Sequence, residues 1–112
     1  MYAKLSNIYA AANKCGFAVK HKANKQDIVL AFKDKDSDLR LFFEVRAKND
    51  KNEKTFCENV SHAVFMLSEN IDPHTETRKY LEKIGGNLKQ YTEIYSEILR
   101  LCWQVRQLWL SL

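Results

Sequence analysis

Two β-prone runs separated by turn-forming residues constrain this chain more than any other feature. The runs are residues 26–33 (QDIVLAFK) and 39–48 (LRLFFEVRAK), and residues 34–38 (DKDSD) lie between them. Apolar and polar residues alternate in both runs, which is typical of half-buried strands, and the intervening Asp and Ser residues favour a turn. The sequence therefore predicts an antiparallel β-hairpin with one apolar face and one polar face.

The register of this hairpin follows from the need to place both apolar sets on one face. A slip of one residue would turn one of the sets towards water. We expect the loop to be centred on residues 36–37. The apolar pairs are then Phe32 with Leu41, Leu30 with Phe43, and Ile28 with Val45.

The polar face of the predicted hairpin brings two carboxylates together. In this register Asp27 lies opposite Arg46, and Glu44 lies opposite Val29, so Asp27 and Glu44 are diagonal neighbours about 7–8 Å apart. Two carboxylates at that separation can share a divalent cation such as Mg²⁺ through their oxygens. Asp27 and Glu44 are therefore candidate metal ligands, and Lys48 extends the same face.

This pattern resembles the core of the PD-(D/E)XK nucleases. The matching residues are DIVL from Asp27 and FEVRA at residues 43–47, preceded by a helix and a strand, so the resemblance covers residues 2–48. It implies a Mg²⁺-dependent nuclease in which Asp27 and Glu44 hold the metal, with Arg46 and Lys48 as further catalytic residues.

The chain departs from the family pattern at Arg46, which stands where the family has Lys. A guanidinium stays protonated, so Arg46 can stabilise developing charge but cannot act as a base. Lys48, two residues on, is the candidate substitute. Residues 1–26 contain no Asp or Glu, and no clear fourth strand follows. An inactive relative and an ordinary solvated sheet face are the other interpretations of these charges.

The remaining segments predict helices around this hairpin. Residues 2–15 have a helical apolar stripe that ends at Gly16, and residues 17–22 alternate as a further strand before a turn at 23–25. Helices are expected over residues 53–69, 73–84 and 87–111, with Asp72 and Pro73 at the start of the second and Gly85 at its end. A strand over residues 62–67 is the alternative to part of the first.

These elements predict one α+β domain spanning residues 1–112. It consists of an N-terminal helix, a three-stranded antiparallel sheet and about three further helices, the last of them long. A chain of 112 residues with 46% hydrophobic content can bury one substantial core.

The predicted C-terminal helix carries a wide apolar stripe with coiled-coil-like spacing. Its seam positions are Tyr91, Tyr95, Ile98, Cys102, Val105, Trp109 and Leu112. A stripe this wide is covered on two sides within the monomer, or else part of it meets another chain. Trp103, Arg106 and Trp109 are the candidate interface residues, because Trp and Arg commonly anchor interfaces. A homodimer through this helix is one expectation.

Positive charge concentrates in the half of the chain that forms the sheet. The net charge is +4, with 12 Lys and Arg against 7 Asp and Glu in residues 1–56. A basic sheet face that carries an aromatic side chain is a candidate nucleic-acid platform. The candidate binding residues are Lys20, Lys22, Lys33, Arg40, Phe42, Arg46 and Lys48.

Composition narrows the remaining function classes. No segment has membrane-spanning length, and Cys15, Cys57 and Cys102 lack metal-ligand or disulfide-scaffold spacing, so buried free thiols and a cytoplasmic location are expected. The function predicted is a small non-catalytic regulator that binds nucleic acid or a nucleoprotein complex and needs no cofactor. Inhibitors encoded by mobile elements have this size and character. The alternative is the Mg²⁺-dependent nuclease.

Overall fold

The chain folds as an α+β unit in which a small sheet is followed by helices, which confirms the predicted fold class. This computed structural model describes residues 4–36 and 42–112. The elements, in order, are α1 (Leu5–Lys14), β1 (Phe17–Ala23), β2 (Asp27–Asp34), β3 (Phe42–Lys48), α2 (Glu53–Asn70), α3 (Pro73–Ile84), a 3₁₀ turn (Leu88–Gln90) and α4 (Tyr91–Leu110). The alternative strand at residues 62–67 is wrong, because those residues lie within α2 and their apolar positions follow a helical period.

The boundaries of α3 show how local sequence sets the helix ends. The Asp72 carboxylate accepts a hydrogen bond from the Thr75 backbone N–H at 3.2 Å, and Pro73 occupies the first helical position. Asp72 thereby satisfies one of the free backbone N–H groups at the helix N-terminus. Pro73 forfeits no helical hydrogen bond at this position, because the N–H group that it lacks would have no partner within the helix. At the other end Gly85 adopts φ 65°, a left-handed conformation that glycine reaches without steric cost.

The sheet is antiparallel throughout, with strand order β1-β2-β3. The Asn24 side-chain oxygen stabilises the β1–β2 turn, because it accepts hydrogen bonds from the backbone N–H groups of Gln26 and Asp27 at 2.8 and 2.6 Å. An Asn side chain that bonds the backbone two or three residues ahead is a turn-forming device.

The predicted register between β2 and β3 is wrong by two residues. The observed Cα partners are Ile28 with Ala47, Leu30 with Val45, and Phe32 with Phe43. A shift of two residues keeps every side chain on its face, so the alternating pattern that excludes a one-residue slip does not exclude this one. The predicted loop centre includes Ser37, which lies outside the described residues.

One hydrophobic core fills the space between the helices and the inner side of the sheet. The buried strand residues alternate with exposed or half-buried ones along β2 and β3, so one side of the sheet is covered and the other is open. The Phe17 and Phe32 rings meet edge to face, with centroids 5.9 Å apart. The largest fully buried side chains of the core are Phe17, Phe32, Ile8, Ile28, Leu30, Ile98, Leu101, Leu108, Val60, Val64 and Val105.

The long last helix supplies one side of this core. The buried residues of α4 are Ile94, Ile98, Leu101, Cys102, Val105 and Leu108, whereas Tyr91, Tyr95 and Trp109 of the predicted seam lie at its half-buried rim. The centre of the buried stripe therefore follows residues 94, 98, 101, 105 and 108. No helix within the described ranges has an apolar stretch that would let it cross a membrane.

Candidate nucleic-acid interface

The side of the sheet turned away from the helices gathers the predicted basic residues. Residues that are Cα partners in an antiparallel pair project to the same side, so the register places them in rows across the strands. We call this side the outer sheet face. Its rows in the described structure are Ala18–Lys33, Lys20–Ala31–Glu44, Lys22–Val29–Arg46 and Asp27–Lys48.

The described part of the outer sheet face carries more positive than negative side chains. Its cations are Lys20, Lys22, Lys33, Arg46 and Lys48, and its acids are Asp27 and Glu44. All of these residues except the half-buried Lys33 are exposed. Between them lie the smaller apolar residues Val29 and Ala31. The charged ends of the Lys and Arg side chains therefore project beyond the smaller apolar side chains, where a flat ligand can contact them.

Ion pairing leaves part of this positive charge free. Glu44 pairs with Arg46 along β3, at 3.4 Å between carboxylate oxygen and guanidinium nitrogen, and their side chains are 42% and 72% exposed. Within residues 4–36 and 42–112, Lys20, Lys22 and Lys33 make no ion pair. Lys48 makes no ion pair within the described residues either, so the cations of the outer sheet face without an acidic partner lie on β1, at the end of β2 and at the end of β3.

The observed register separates the two carboxylates of the magnesium hypothesis. Glu44 is the partner of Ala31, and Asp27 is the partner of Lys48. Asp27 and Ala31 are four positions apart along β2, so the backbones of Asp27 and Glu44 are about 13 Å apart along the sheet and the two residues are not diagonal neighbours. Among the described residues, no cluster of three or more His, Cys, Asp or Glu side chains could hold a metal ion. The nuclease resemblance stays a prediction, without the proximity on which its metal site depended.

Two of the predicted nucleic-acid contacts are not placed on this face. Arg40 lies outside the described residues, and of Phe42 the structure gives the backbone pairing with Lys33 only. The other predicted basic residues, Lys20, Lys22, Arg46 and Lys48, share the outer sheet face with Lys33.

The candidate interface residues of α4 divide between two surroundings. Trp109 packs on Phe65 of α2, with ring centroids 5.0 Å apart, and is half-buried. Trp103 is 62% exposed and Arg106 is exposed as well. Trp103 and Arg106 therefore belong to an outward side of α4, while Trp109 joins α4 to α2.

Apolar residues continue that outward side of α4 in both directions from Trp103. Leu99 is 47% exposed and Leu110 is 74% exposed, and they stand four residues before and seven residues after Trp103. These spacings place all three on one stripe of a helix. The predicted homodimer through α4 stays a prediction.

A charged cluster between the sheet and α4 was not predicted. Asp34 continues the buried face of β2, and its side chain is fully inaccessible. The Arg100 guanidinium donates to both Asp34 carboxylate oxygens, at 2.7 and 3.4 Å, and to Glu97 at 2.9 Å. The hydrogen bond to Asp34, and to a smaller extent the hydrogen bond to Glu97, raises the pKa of Arg100 above its ordinary value. The cluster fixes α4 against the end of β2.

A stacked aromatic group joins α3 to α4 and was not predicted either. The centroid of the His74 ring lies 4.5 Å from the centroid of the Tyr95 ring and 6.1 Å from that of the Tyr91 ring, and the His74 ring is nearly parallel to both. The His74 Nδ1 atom and the Tyr91 hydroxyl are 2.6 Å apart, at hydrogen-bond distance. The spacing of Tyr91 and Tyr95 placed both on one stripe of α4, but nothing in the sequence pointed to His74 as their partner.

Comparison with known proteins gives this chain no relative from which to infer a role. No protein-family model, no curated sequence and no solved structure matches it.

Proposed function

We propose that this protein is a non-catalytic nucleic-acid-binding protein that contacts the phosphate backbone through the outer sheet face. The observation that carries the proposal is the register, which collects Lys20, Lys22, Lys33, Arg46 and Lys48 on one open side of the sheet. Positive charge of this kind supplies the sequence-independent part of nucleic-acid affinity.

The dimensions of the outer sheet face suit an extended polyanion. Lys20 and Lys22 are about 7 Å apart along β1, and Lys22 and Arg46 are about 10 Å apart across the three strands. Small side chains between them leave the cations accessible from above. A single nucleic-acid strand lying across the sheet can therefore meet several of them at once, whereas a globular acidic protein needs a matching concave surface.

Salt-dependent binding tests the proposal. The purified protein is titrated into fluorescently labelled single-stranded DNA, double-stranded DNA and RNA of equal length, and anisotropy is measured at several salt concentrations. We expect affinity that falls steeply with salt. Replacing Lys20 and Lys22 together by Ala removes two cations, so the log–log salt slope should decrease by about 1.4–1.8.

A charge-matched variant provides the control for this experiment. Lys79→Ala with Lys89→Ala also removes two exposed lysines, but from α3 and the 3₁₀ turn rather than from the sheet. We expect this variant to bind almost as the wild type does. Equal losses in both double variants, or no binding of any oligonucleotide at low salt, would show that the outer sheet face is not a nucleic-acid site.

The same preparation separates binding from cleavage. The nucleic acids are incubated with the protein and Mg²⁺, with Asp27→Ala as the comparison. We expect intact strands in both reactions. Cleavage by the wild type that disappears in Asp27→Ala would contradict the non-catalytic proposal and support the nuclease alternative.

A further inference from the structure

The backbone of β3 directs half of its polar groups away from the sheet. The Asn49 N–H donates to the Gln26 carbonyl at 3.0 Å, which makes Asn49 and Gln26 a hydrogen-bonded pair of the antiparallel ladder. Such pairs alternate with pairs whose N–H and C=O groups point to the other side. Lys48, Arg46 and Glu44 therefore point these groups outward from the edge.

The outer edge of β3 is closed at one end and open in its middle. The Asn59 side-chain amide, on α2, donates to the Lys48 carbonyl at 3.1 Å. At Glu44 and Arg46, no residue in the described ranges bonds the backbone N–H or C=O groups. A groove of about 450 Å³ separates this edge from α2. An unpaired strand edge of this kind is a template for another strand.

We propose that a second copy of this chain pairs antiparallel with the open edge, about a two-fold axis through Val45. Glu44 then lies opposite Arg46 of the partner subunit, and Arg46 lies opposite Glu44 of the partner subunit. Both residues already direct their backbone groups outward, so each such pair forms two backbone hydrogen bonds. The two three-stranded sheets become one six-stranded sheet.

Charge complementarity selects both this occupant and this register. The segment Glu44–Val45–Arg46 has opposite charges placed symmetrically about its centre, so an antiparallel copy matches each charge with its opposite. An axis through Glu44 would place the two Glu44 carboxylates together, and an axis through Arg46 would place the two guanidiniums together. Like charges directly opposite each other destabilise strand pairing, and opposite charges stabilise it.

The side of β3 that faces α2 adds apolar contact to the same interface. Met66 lies on α2 at the groove and is 45% exposed, although it is a large apolar residue. Pairing of two β3 edges brings the two grooves together across the axis. Because the interface consists of one short strand edge and its flanks, we expect a weak, concentration-dependent dimer.

Sedimentation of charge-reversed variants tests this proposal in the absence of nucleic acid. The wild type is followed by analytical ultracentrifugation over increasing concentration, into the millimolar range, and we expect monomer and dimer in equilibrium. Arg46→Glu alone and Glu44→Arg alone each place like charges at both symmetric positions. Each should raise the dissociation constant at least about tenfold.

The double exchange is the decisive variant. Glu44→Arg combined with Arg46→Glu restores opposite charges across the axis, and dimerisation should recover to near the wild-type level. Both positions are exposed, and circular dichroism verifies that every variant is folded. Lys79→Glu on α3 is the matched control for charge reversal, and it should leave the dissociation constant unchanged.

Several results would overturn the proposal. These are a wild type that stays monomeric at every concentration, single reversals without effect, and a double exchange that stays monomeric. A dimer that is lost in Trp103→Lys but kept in Arg46→Glu would assign self-association to α4 instead. None of these results depends on nucleic-acid binding, so the two proposals can fail separately.

Discussion

Removal of the Arg100 guanidinium should destabilise this protein far more than removal of a typical surface arginine. In Arg100→Leu, Asp34 stays in a fully inaccessible position and loses both guanidinium contacts, at 2.7 and 3.4 Å. Leaving one member of a buried ion pair without its partner costs about 3–5 kcal/mol. The Arg100 side chain is 38% exposed, so water enters part of the vacated space. We therefore expect a loss of about 3 kcal/mol, at the lower end of that range.

The opposite perturbation should cost less, because Arg100 has other partners. In Asp34→Asn the guanidinium keeps its 2.9 Å contact with Glu97 and its access to solvent. We expect a loss of about 1–2 kcal/mol. The double variant Asp34→Asn with Arg100→Leu should lose at least about 1 kcal/mol less than the sum of the single variants, because the two side chains share one interaction.

Urea unfolding followed by circular dichroism measures these free energies. The slope of free energy against urea should stay constant across the series, so that midpoint shifts report stability. Arg78→Leu is the matched control, since Arg78 is exposed on α3 and its guanidinium donates a hydrogen bond to the Thr75 hydroxyl at 3.5 Å. It should change stability by less than about 0.5 kcal/mol. A similarly small change in Arg100→Leu, or strict additivity in the double variant, would refute the account of this cluster.

Two further predictions concern a helix end and the thiols. Gly85→Ala should cost about 1 kcal/mol of stability through backbone strain, because φ is 65° and, among the described residues other than its two chain neighbours, no atom lies within 4 Å of an added Cβ. Gly85→Asn should cost less. Equal stability of Gly85→Ala and the wild type against urea would contradict this prediction. In the native protein at neutral pH, a thiol reagent should label Cys15 but not Cys57 or Cys102, because Cys57 is 2% exposed and burial raises the pKa of Cys102 to about 11. Native-state labelling should vanish in Cys15→Ser, and rapid labelling of a second thiol would show that the core is open.

Sequence patterns were sufficient for the elements of this fold because local chemistry sets them. Asp72 and Pro73 define the start of α3, and Gly85 defines its end, through contacts within one helical turn. The alternation along β2 likewise reports which side is buried. For the same reason the outer sheet face could be predicted. Which face of a strand a side chain occupies depends only on the parity of its position, that is, on whether the position is odd or even along the strand.

The parity of positions along a strand does not determine the register between two strands. It leaves registers that differ by two residues equally acceptable, so it could not decide whether Asp27 and Glu44 are neighbours. Asp34 was assigned to the turn because it is charged and followed by other turn-forming residues. Its burial depends on Arg100, which lies 66 residues away in the sequence. A contact of that separation leaves no periodic trace in the local sequence around either residue.

The same separation has a consequence for the growing polypeptide. A ribosome makes the chain from its N-terminus, so β2 is complete many residues before α4 exists. During that interval the nascent sheet lacks the six core side chains that α4 contributes, and Asp34 has no guanidinium to neutralise it. The apolar face of the nascent sheet is then exposed to other nascent or misfolded chains. Protection of this face by a chaperone therefore matters most before α4 emerges from the ribosome.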